Sequence, residues 1–501
     1  MTVRAALREV GDGALLVEYP GASEDSANRA AIAAARRLAG RPGVLDAIPG
    51  ARTLYLAVDG ADGSMLEREL AGEAGAQEPG RLVRVAVRYG GEHGPDLAEL
   101  ARERGMAPEE LARRHAAGSY RVAFLGFAPG FAYCVGLPEE LSAPRLATPR
   151  TRVAAGTLAI GGSYTGIYPS ETPGGWRLIG RSPARLFDPA ADPPTLFLPG
   201  DSAVFESAGP EAGAAPPADR PAATYPEGSV PLFHVASPGL FSSLQGAPRH
   251  GRGSFGVPAG GAIDLPLLSE GNALVGNAGG ALSLEITLQG PELVALADCR
   301  AAATAGLEVE LNGSRLPAGS PFDVARGGRV RLGRVTSGVR AYFCVEGGLA
   351  VASTQWQTAR LARDDTIRRA ASPEKEAASF AGPPRGPSDG VVRVRPGPQE
   401  DRFTERSFRL FFEQAWRVSA SSDRRGVRLE GEPLVHAGSA EVAPEGTAPG
   451  AIQVPADGQP IVLGPDRPVT GGYAKIGTVV AADWRVVAQT APGASLRFRR
   501  A

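Results

Sequence analysis

The sequence predicts a mainly β protein that begins with an α+β unit and carries a duplicated β-barrel-like module. Glycine (66 residues) and proline (44 residues) are abundant and stand between short apolar runs. This composition favours many short strands joined by turns. Residues 1–80 combine strand-like and helix-like segments, and a set of short motifs recurs in the same order in 81–208 and 229–501.

Composition indicates a globular protein rather than a nucleic-acid-binding or membrane protein. Of the 501 residues, 43% are hydrophobic and 21% are charged, and the formal net charge is -1. A near-neutral chain offers no basic field to nucleic acid or anionic lipid. No run approaches the roughly 18 apolar residues of a membrane helix, and the N-terminus lacks the apolar core of a signal peptide. We therefore expect two to four domains in a cytoplasmic protein.

Cys134, Cys299 and Cys344 are too few and too widely spaced for a disulfide framework or a zinc site. We expect three buried thiols in a reducing compartment and no metal site.

The predicted elements divide the chain into four regions. In 1–80, strands are expected at 13–20 and 52–59, with a helix over 26–40 between them. The next region, 81–208, opens with a strand and two short helices separated at Gly105, followed by short strands and tight turns. Alanine, proline and glycine dominate a linker at 209–228. Residues 229–501 are β-rich, and a polar stretch divides them into lobes at about 229–385 and 386–501.

An internal repeat predicts the duplicated modules. The matching segments, in order, are Gly156–Ile160 with Gly450–Val454, Gly174–Gly180 with Gly471–Gly477, and Pro199–Phe205 with Pro492–Phe498. Matches that keep their order along the chain indicate two copies of one β-barrel-like unit.

Several motifs in the first half could form a ligand site. His115 is a candidate general base, or a structural histidine at a helix end. The turn Phe124–Phe131 could wall a pocket for a small planar ligand, or form only an aromatic-packed hairpin. Arg145 and Arg150 each follow a proline, and their guanidinium groups suit a carboxylate, a phosphate or a surface salt bridge. Gly174-Gly175-Trp176 could present backbone N–H groups to a ligand beneath the ring, or form an ordinary barrel turn.

The second half contains a group of polar residues and both lysines of the chain. Gln245, Arg252 and Asp264 stand among apolar residues, where they could serve catalysis or satisfy buried groups. Lys475 is one of only two lysines, beside Lys375, and follows the Gly-Gly-Tyr turn. Its ammonium could neutralise an oxyanion or hold a phosphate.

Missing motifs exclude several mechanisms. The sequence has no P-loop, no H-E-x-x-H and no G-x-S-x-G. Neither lysine follows a methionine, so the attachment signature of a covalent biotin carrier is missing.

Two long runs resemble a known pair of families. The segment GFAPGFAY…VAAGTLAIGG…TGIYPSETPGGWRLIGRSP resembles allophanate hydrolase subunit 1, also called the B subunit of 5-oxoprolinase, a family that includes an inhibitor of a sporulation kinase. The segment GRGSFGVPAGGAID…NALVGN…GAIQVPADGQPIVL…TGGYAKIG resembles allophanate hydrolase subunit 2, or the C subunit of 5-oxoprolinase. The resemblance covers nearly the whole chain outside the linker. It implies cyclophilin-like barrels and ATP-dependent opening of 5-oxo-L-proline to L-glutamate together with a separate A subunit.

The second half departs from the family pattern at several polar positions. Gln245-Gly246 stands for the usual Gln-Asp, and Thr354–Thr358 for Gly-Ser-Arg-Ser-Thr. Pro444-Glu445-Gly446 stands for Ser-Glu-Gly, and Ala474 for the proline after Gly-Gly-Tyr. These departures leave open whether the C-like half keeps the family's substrate.

Three functions remain as hypotheses. The first is a fused B/C component of 5-oxoprolinase that uses ATP, acts on a small amide and has an A-subunit partner. The second is a biotin-dependent carboxyltransferase component like that of urea carboxylase, with biotin carried on another domain. The third is a regulatory protein that inhibits a histidine kinase. A homo-oligomer is also expected.

Under the first hypothesis, Arg145, Arg150 and Lys475 would stabilise phosphate or oxyanion charge, while His115 or Asp264 would move protons. The two halves would close around a shared cleft. The residues expected to bind substrate there are Tyr120, Arg121, Phe131, Arg145, Arg150, Gly174, Gly175, Trp176, Arg252, Gln453, Gln459, Gly471, Gly472 and Tyr473.

Overall fold

The computed structural model describes residues 5–20, 22–71, 80–208, 225–351, 360–371 and 390–501. Most of the linker expected at 209–228, the motif at 354–358 and Lys375 lie outside the described residues.

A four-stranded antiparallel sheet with two helices forms the N-terminal unit. Its strand order is β1-β2-β4-β3. The elements are β1 (Ala6–Gly11), β2 (Ala14–Glu18), α1 (Glu24–Leu38), β3 (Val44–Pro49), β4 (Thr53–Val58) and α2 (Gly63–Ala71). The Ser23 side chain caps α1 by accepting the N–H of Ser26, and Glu24 and Asp25 in the first turn favour the positive end of the helix dipole. The expected strands at 13–20 and 52–59 and the expected helix are confirmed.

The two faces of this sheet bury different partners, because side chains alternate along a strand. One face, with Val17 and Leu54, packs on α1 and α2. The other face carries Val10, Leu16 and Tyr55, which pack against Ala448, Leu463 and Val469 near the far end of the chain. The N-terminal unit is therefore anchored on the last module.

A closed seven-stranded barrel follows, in the cyclic order β5-β12-β9-β10-β7-β6-β13. Its elements are β5 (Leu82–Tyr89), α3 (Leu97–Glu103), α4 (Pro108–Ala116), β6 (Tyr120–Leu125), β7 (Ala132–Val135), β9 (Thr157–Gly161), β10 (Tyr164–Ile167), β12 (Arg177–Arg181) and β13 (Ser202–Ser207). A separate two-stranded side sheet is made by β8 (Arg150–Val153) and β11 (Thr172–Gly174). The two helices are separated at Gly105, as expected, and this glycine takes a positive φ.

Two packed sheets form the third unit, with strand orders β20-β19-β22-β17-β14-β25-β24 and β15-β16-β23-β18-β21. The strands are β14 (Val230–Ser237), β15 (Phe241–Gln245), β16 (Ser283–Thr287), β17 (Glu292–Ala295), β18 (Cys299–Ala303), β19 (Leu307–Leu311), β20 (Ser314–Leu316), β21 (Pro321–Val324), β22 (Arg329–Val335), β23 (Arg340–Val345), β24 (Leu349–Ala350) and β25 (Thr366–Arg369), and the one described α-helix is α5 (Leu265–Leu274). Phe233, Ile286, Leu293 and Phe343 lie in the core between the sheets.

A second closed barrel ends the chain, in the order β26-β33-β30-β31-β28-β27-β34. Its elements are β26 (Val391–Pro396), α6 (Glu405–Glu413), β27 (Ala415–Val418), β28 (Gly426–Glu430), β30 (Ala451–Gln453), β31 (Ile461–Leu463), β33 (Lys475–Val479), α7 (Trp484–Gln489) and β34 (Ser495–Arg500). Its own two-stranded side sheet is made by β29 (Glu441–Gly446) and β32 (Thr470–Tyr473).

The two barrels have the same topology. Reading each ring from its first strand gives matching positions, so that β5 corresponds to β26, β9 to β30, β12 to β33 and β13 to β34. In each barrel the first and last strands pair in parallel, β5 with β13 and β26 with β34. The repeat seen in the sequence thus marks a real duplication, and the expected mainly β architecture with duplicated barrels is confirmed.

The three cysteines are buried free thiols, as expected. No helix in the described ranges is long and apolar enough to cross a membrane.

Candidate active site

The side sheets of the two barrels bring the Gly-Gly-aromatic turns to one junction. Arg145 of the first barrel lies 3.7 Å from the Glu441 carboxylate on β29. A Cβ atom added to Gly472 would lie 4.0 Å from the Arg145 guanidinium. A Cβ atom on Gly126, at the end of β6, would collide with the hydroxyl of Thr470 on β32. Glycine is therefore needed at Gly126 for the barrels to approach this closely.

A buried polar cluster lies on the second-barrel side of this junction. The ammonium group of Lys475, which is 3% exposed, pairs with the carboxylate of Glu445. Gln399 joins the pair, because its Nε2 donates to Glu445 Oε1 at 2.8 Å and its Oε1 accepts the Lys475 backbone N–H at 3.2 Å. Gln453 lies directly opposite Lys475 on the neighbouring strand. We call Gln399, Glu445, Gln453 and Lys475 the lysine cluster.

Two polar atoms, one in the lysine cluster and one next to it, have no hydrogen-bond partner within the described part of the chain. They are Gln453 Nε2 and Thr470 Oγ1, and their residues are 7% and 3% exposed. Both flank Gly471, where an added Cβ atom would collide with Gln453 Nε2. Buried polar groups in native proteins nearly always find a partner. A ligand with an acceptor oxygen at this turn would supply one.

The first barrel carries apolar side chains at the positions that correspond to Lys475 and Gln453. The cross-strand pair Lys475 and Gln453 corresponds to Leu178 and Ala159 in the first barrel. The surrounding space in the first barrel is filled by Trp176, Phe131 and Tyr168. Of the two matching strand pairs, the one in the second barrel therefore supplies the charged and hydrogen-bonding groups.

The aromatic side chains of the first barrel form a wall next to the junction. The Trp176 ring meets those of Phe131 and Tyr133 edge-on, with centroids 5.3 and 5.5 Å apart. Burial raises the pKa of Tyr133, while the nearby Arg145 charge opposes the rise and the Tyr473 phenol adds to it. Tyr133 therefore lies near both Trp176 and Tyr473, which places these two aromatic side chains at the same junction.

Tyr168 contributes a second phenol to this wall. Burial raises the pKa of Tyr168 to about 12, opposed by a hydrogen bond from the Trp176 backbone and by the charges of Arg145 and Arg150. The close approach of Gly174 to the Tyr168 hydroxyl leaves no room for a Cβ atom. The phenol thus stays protonated at neutral pH and keeps a proton to donate.

His115 and Tyr120 lie inside the first barrel. His115 is fully buried, with Tyr89 Oη 2.8 Å from Nδ1 and Thr165 Oγ1 2.9 Å from Nε2. Tyr120 stacks on its ring and donates its hydroxyl proton to the His115 carbonyl at 2.7 Å. Burial lowers the pKa of His115 to about 3. The structure thus gives His115 a structural position rather than contact with a ligand.

Arg121 and Arg150 are held by carboxylates outside the junction. Arg121 donates to Asn28 at 2.5 Å and to Asp25 at 2.7 Å, which ties the first barrel to α1. Arg150 donates to Asp96 at 2.6 Å, and the other oxygen of Asp96 accepts the backbone N–H of Leu178.

The other expected residues are likewise engaged in structural contacts. Asp264 caps α5 and accepts from Gln489 Nε2 at 2.7 Å, and Arg485 lies 3.2 Å from the same carboxylate. Burial raises the pKa of Asp264, against the opposing effects of Gln489 and Arg485. Arg252 lies 3.8 Å from Asp192, and both amide atoms of Gln459 bond to the backbone of Gly431. The contacts within the described ranges join none of these residues to Lys475.

Sequence reasoning missed Glu445, Gln399, Thr470 and Tyr133. Glu445 could have been predicted, because the altered Pro-Glu-Gly triplet keeps the glutamate of the usual Ser-Glu-Gly. Gln399 belongs to no motif, and only the folded barrel brings it to Lys475.

A cleft of about 230 Å³ opens next to the junction, beneath the turn at Phe127. We call it the Phe127 cleft. Its lining residues are Phe127, Ala128, Pro129, Ser170, Thr172, Phe241, Gln245, Arg249, Gly256, Pro258, Gly260, Gly261, Asp423, Arg424, Arg425, Asp466, Arg467 and Pro468. Phe127 has a φ of 64°, a strained conformation that a bulky residue seldom adopts away from functional sites. Both halves of the chain thus contribute to one concave site.

Comparison with known proteins gives the same two-part division. The family "Carboxyltransferase domain, subdomain C and D" matches residues 5–197, and "Carboxyltransferase domain, subdomain A and B" matches residues 255–500. The solved structure of TTHA0988 is similar along almost the whole length, with a TM-score of 0.83, 34% identity, and coverage of 99% of this chain and 100% of that one.

Curated relatives match each part separately. The 5-oxoprolinase B subunit from Escherichia coli O157:H7 is 39% identical over 208 residues, which are 40% of this chain and 95% of that protein. The 5-oxoprolinase C subunit from Escherichia coli K12 is 31% identical over 280 residues, which are 53% of this chain and 90% of that protein. Urea amidolyase from Lachancea kluyveri is 28% identical over 305 residues, but these are only 17% of that protein.

The part similar to the B subunit thus precedes the part similar to the C subunit, and each contributes one barrel to the junction. The chain belongs to the carboxyltransferase-domain family and joins in one polypeptide the counterparts of the B and C subunits of 5-oxoprolinase.

Proposed function

We propose that the chain is the fused B/C component of an ATP-dependent 5-oxoprolinase, which opens 5-oxo-L-proline to L-glutamate together with a separate A subunit. The observation that carries the proposal is the lysine cluster, which lies buried at the junction of the two barrels and whose cross-strand pair, Lys475 and Gln453, has the apolar counterparts Leu178 and Ala159 in the first barrel. Relatives named as the B and C subunits of 5-oxoprolinase cover both sides of that junction.

The chemistry requires an activated carbonyl, because an unstrained amide is a poor electrophile. Transfer of the γ-phosphoryl group of ATP to the lactam oxygen forms an O–P bond and releases ADP. Water then adds to the lactam carbon and the C–N bond breaks, with a proton passing to nitrogen. The resulting γ-glutamyl phosphate is hydrolysed by a second water to glutamate and phosphate. Negative charge is carried by the phosphoryl oxygens during the transfer and develops on the water-derived oxygen of the tetrahedral intermediates during hydrolysis.

The lysine cluster is suited to stabilising that charge. Lys475 is a buried cation held by Glu445 and Gln399, so its ammonium group is oriented before substrate arrives. Gln453 Nε2 is the unpartnered donor beside it in the described structure and would bind the lactam oxygen. Arg145, which is 40% exposed at the opposite wall, would bind phosphate. ATP is a substrate in this scheme.

The assay is glutamate and ADP release by the purified chain mixed with an A subunit and supplied with 5-oxo-L-proline and ATP. We expect equal amounts of glutamate and ADP, dependent on both proteins. ADP release without glutamate, or no turnover with either a cognate or a related A subunit, would contradict the proposal.

A biotin-dependent carboxyltransferase component is the second candidate. It is favoured by the carboxyltransferase description of both matching families and by the similarity to urea amidolyase. Carboxyl transfer from free carboxybiotin to urea, measured without an A subunit, would support this candidate against the first.

A further inference from the structure

We infer that the Phe127 cleft binds the carboxylate of the substrate, with Arg467 as its buried anchor. The inference rests on the proposed function, because it deepens the description of the same site. It separates the two candidate functions, since 5-oxo-L-proline carries a carboxylate next to its lactam ring and urea carries none.

The cleft has more cationic than anionic side chains in its lining. Four arginines line it, Arg249, Arg424, Arg425 and Arg467, against the two aspartates Asp423 and Asp466. Its volume of about 230 Å³ is below the roughly 300–1,000 Å³ of pockets for drug-sized ligands, so it suits a smaller molecule. A small anion is therefore the chemical class that the cleft fits.

Arg424 is already saturated and is not the anchor. It donates to Glu285 at 2.5 Å, to both oxygens of Asp466 at 2.8 and 3.0 Å, and to the Gly261 carbonyl at 2.6 Å. This buried network holds the third unit against the second barrel and neutralises Asp466. Asp423 stabilises the adjacent turn, because its carboxylate accepts hydrogen bonds from the backbone N–H groups of Arg425 and Gly426.

Arg467 is different, because it is 5% exposed and forms no ion pair within 4.0 Å in the described ranges. Its Nε donates to the Thr447 carbonyl at 2.9 Å. Burial lowers the pKa of Arg467, and the Tyr55 phenol and the carboxylates of Asp46 and Asp466 oppose that effect. Keeping a charge buried without a close counterion is costly. A ligand carboxylate would offset that cost with a charge-assisted hydrogen bond.

Arg467 is connected to the lysine cluster by two intervening residues, Thr447 and Gly471. Thr447, whose carbonyl accepts from Arg467, places its methyl group 3.3 Å from where a Cβ atom on Gly471 would lie. Gly471 in turn contacts Gln453. A small substrate held by its carboxylate at Arg467 would therefore lie on the side of the cleft that is nearest to Gln453.

The test compares two ligands that share the lactam ring, 5-oxo-L-proline and 2-pyrrolidinone, which lacks the carboxylate. Binding to the full chain is measured by titration calorimetry for the wild type, Arg467→Gln and Arg249→Gln. Arg249 lines the cleft and is exposed, so its variant remains informative if Arg467→Gln fails to fold. Arg428→Gln, an exposed arginine on β28 outside the cleft lining, is the matched control.

We expect Arg467→Gln to weaken 5-oxo-L-proline binding by at least tenfold and Arg249→Gln by a few-fold, with 2-pyrrolidinone unchanged and Arg428→Gln like the wild type. In the assay with the A subunit, Arg467→Gln should raise KM and leave kcat nearly unchanged. Equal losses for both lactams, or wild-type binding in both cleft variants, would overturn the carboxylate subsite.

The binding titrations and the turnover assay together distinguish failure of the subsite from failure of the proposed function. If the wild type turns over 5-oxo-L-proline and the cleft variants keep its KM, the function stands and the subsite is wrong. If the wild type shows no turnover but binds succinate or acetate in an Arg467-dependent way, the subsite stands and the substrate assignment is wrong. Binding of neither lactam nor these carboxylates at millimolar concentration would overturn the subsite.

Discussion

Lys475 and Glu445 form a buried ion pair that affects both the folding of the second barrel and the proposed chemistry. Removing one member of such a pair leaves an uncompensated charge, which typically costs about 3–5 kcal/mol, whereas replacing both with neutral groups is often nearly neutral. A single Lys475 variant therefore confounds loss of activity with loss of folding.

The double variant Lys475→Met, Glu445→Gln separates the two effects. We expect the single variant Lys475→Met to unfold at clearly lower urea concentration and the double variant to recover most of the free energy of unfolding. Glutamate release should remain lost in both, by about 100-fold or more if the ammonium stabilises an oxyanion. Urea unfolding and the ATP-dependent assay measure the two quantities, and activity in the double variant would exclude a chemical role for Lys475.

His115 makes the stability of the first barrel sensitive to acid. Its ordinary pKa near 6.5 falls to about 3 in the fold, so the unfolded chain takes up a proton that the folded chain excludes. The contribution of neutral His115 to stability is therefore full above about pH 6.5 and is lost progressively as pH falls toward 3. We expect His115→Gln to flatten the pH dependence of the free energy of unfolding in this window.

Phe205→Leu is the control for packing, because the Phe205 ring lies 5.3 Å from that of His115 but does not titrate. This variant should lower stability at all pH values and keep the wild-type slope. A wild-type slope in His115→Gln would show that another group causes the acid sensitivity.

At the scale of elements, the approach of β6 to β32 determines how closely the barrels meet. Gly126→Ala would drive a methyl group into the Thr470 hydroxyl, and such overpacking typically costs about 1–3 kcal/mol. We expect lower stability together with reduced turnover, because the lysine cluster and Arg145 would separate.

Gly63→Ala is a suitable control, since a Cβ atom there meets nothing within 4 Å. It should change the free energy of unfolding by no more than about 0.5 kcal/mol. If Gly126→Ala keeps wild-type turnover, close approach of the two barrels is not required for activity.

The duplicated elements could be predicted from the sequence because each copy repeats the same glycine-marked turns in the same order. The strands β1 and β3 were missed, since short segments such as Val44–Pro49 carry only a weak alternation. Gln399 could not be predicted, because only closure of the second barrel brings it within reach of Glu445. The ion-pair partners of Arg121 and Arg150 could not be predicted either, because Asp25 and Asp96 lie far from these arginines in the sequence.

At the scale of the whole molecule, the two halves of the fused chain are interlocked. The N-terminal unit covers an apolar face of the second barrel, and the third unit is bound to that barrel through Arg424. Neither half therefore buries its apolar surface fully without the other.

Cleaving the chain within 209–228, or expressing 1–208 and 225–501 separately, tests this interdependence. We expect the isolated 225–501 fragment to aggregate readily, because the face of Ala448, Leu463 and Val469 would be exposed. Neither fragment should turn over 5-oxo-L-proline with the A subunit, and coexpression should restore a soluble, active complex. Full activity in one fragment alone would mean that the second half is not part of the site.

We propose that the two halves of the chain share one substrate-binding site at the junction of the barrels. A crystal structure of the chain with 5-oxo-L-proline tests it most directly. We expect the lactam oxygen within about 3.2 Å of Gln453 Nε2 or Lys475 Nζ, and the carboxylate next to Arg467. A substrate bound away from both barrels' turns, with the junction filled only by water, would contradict it.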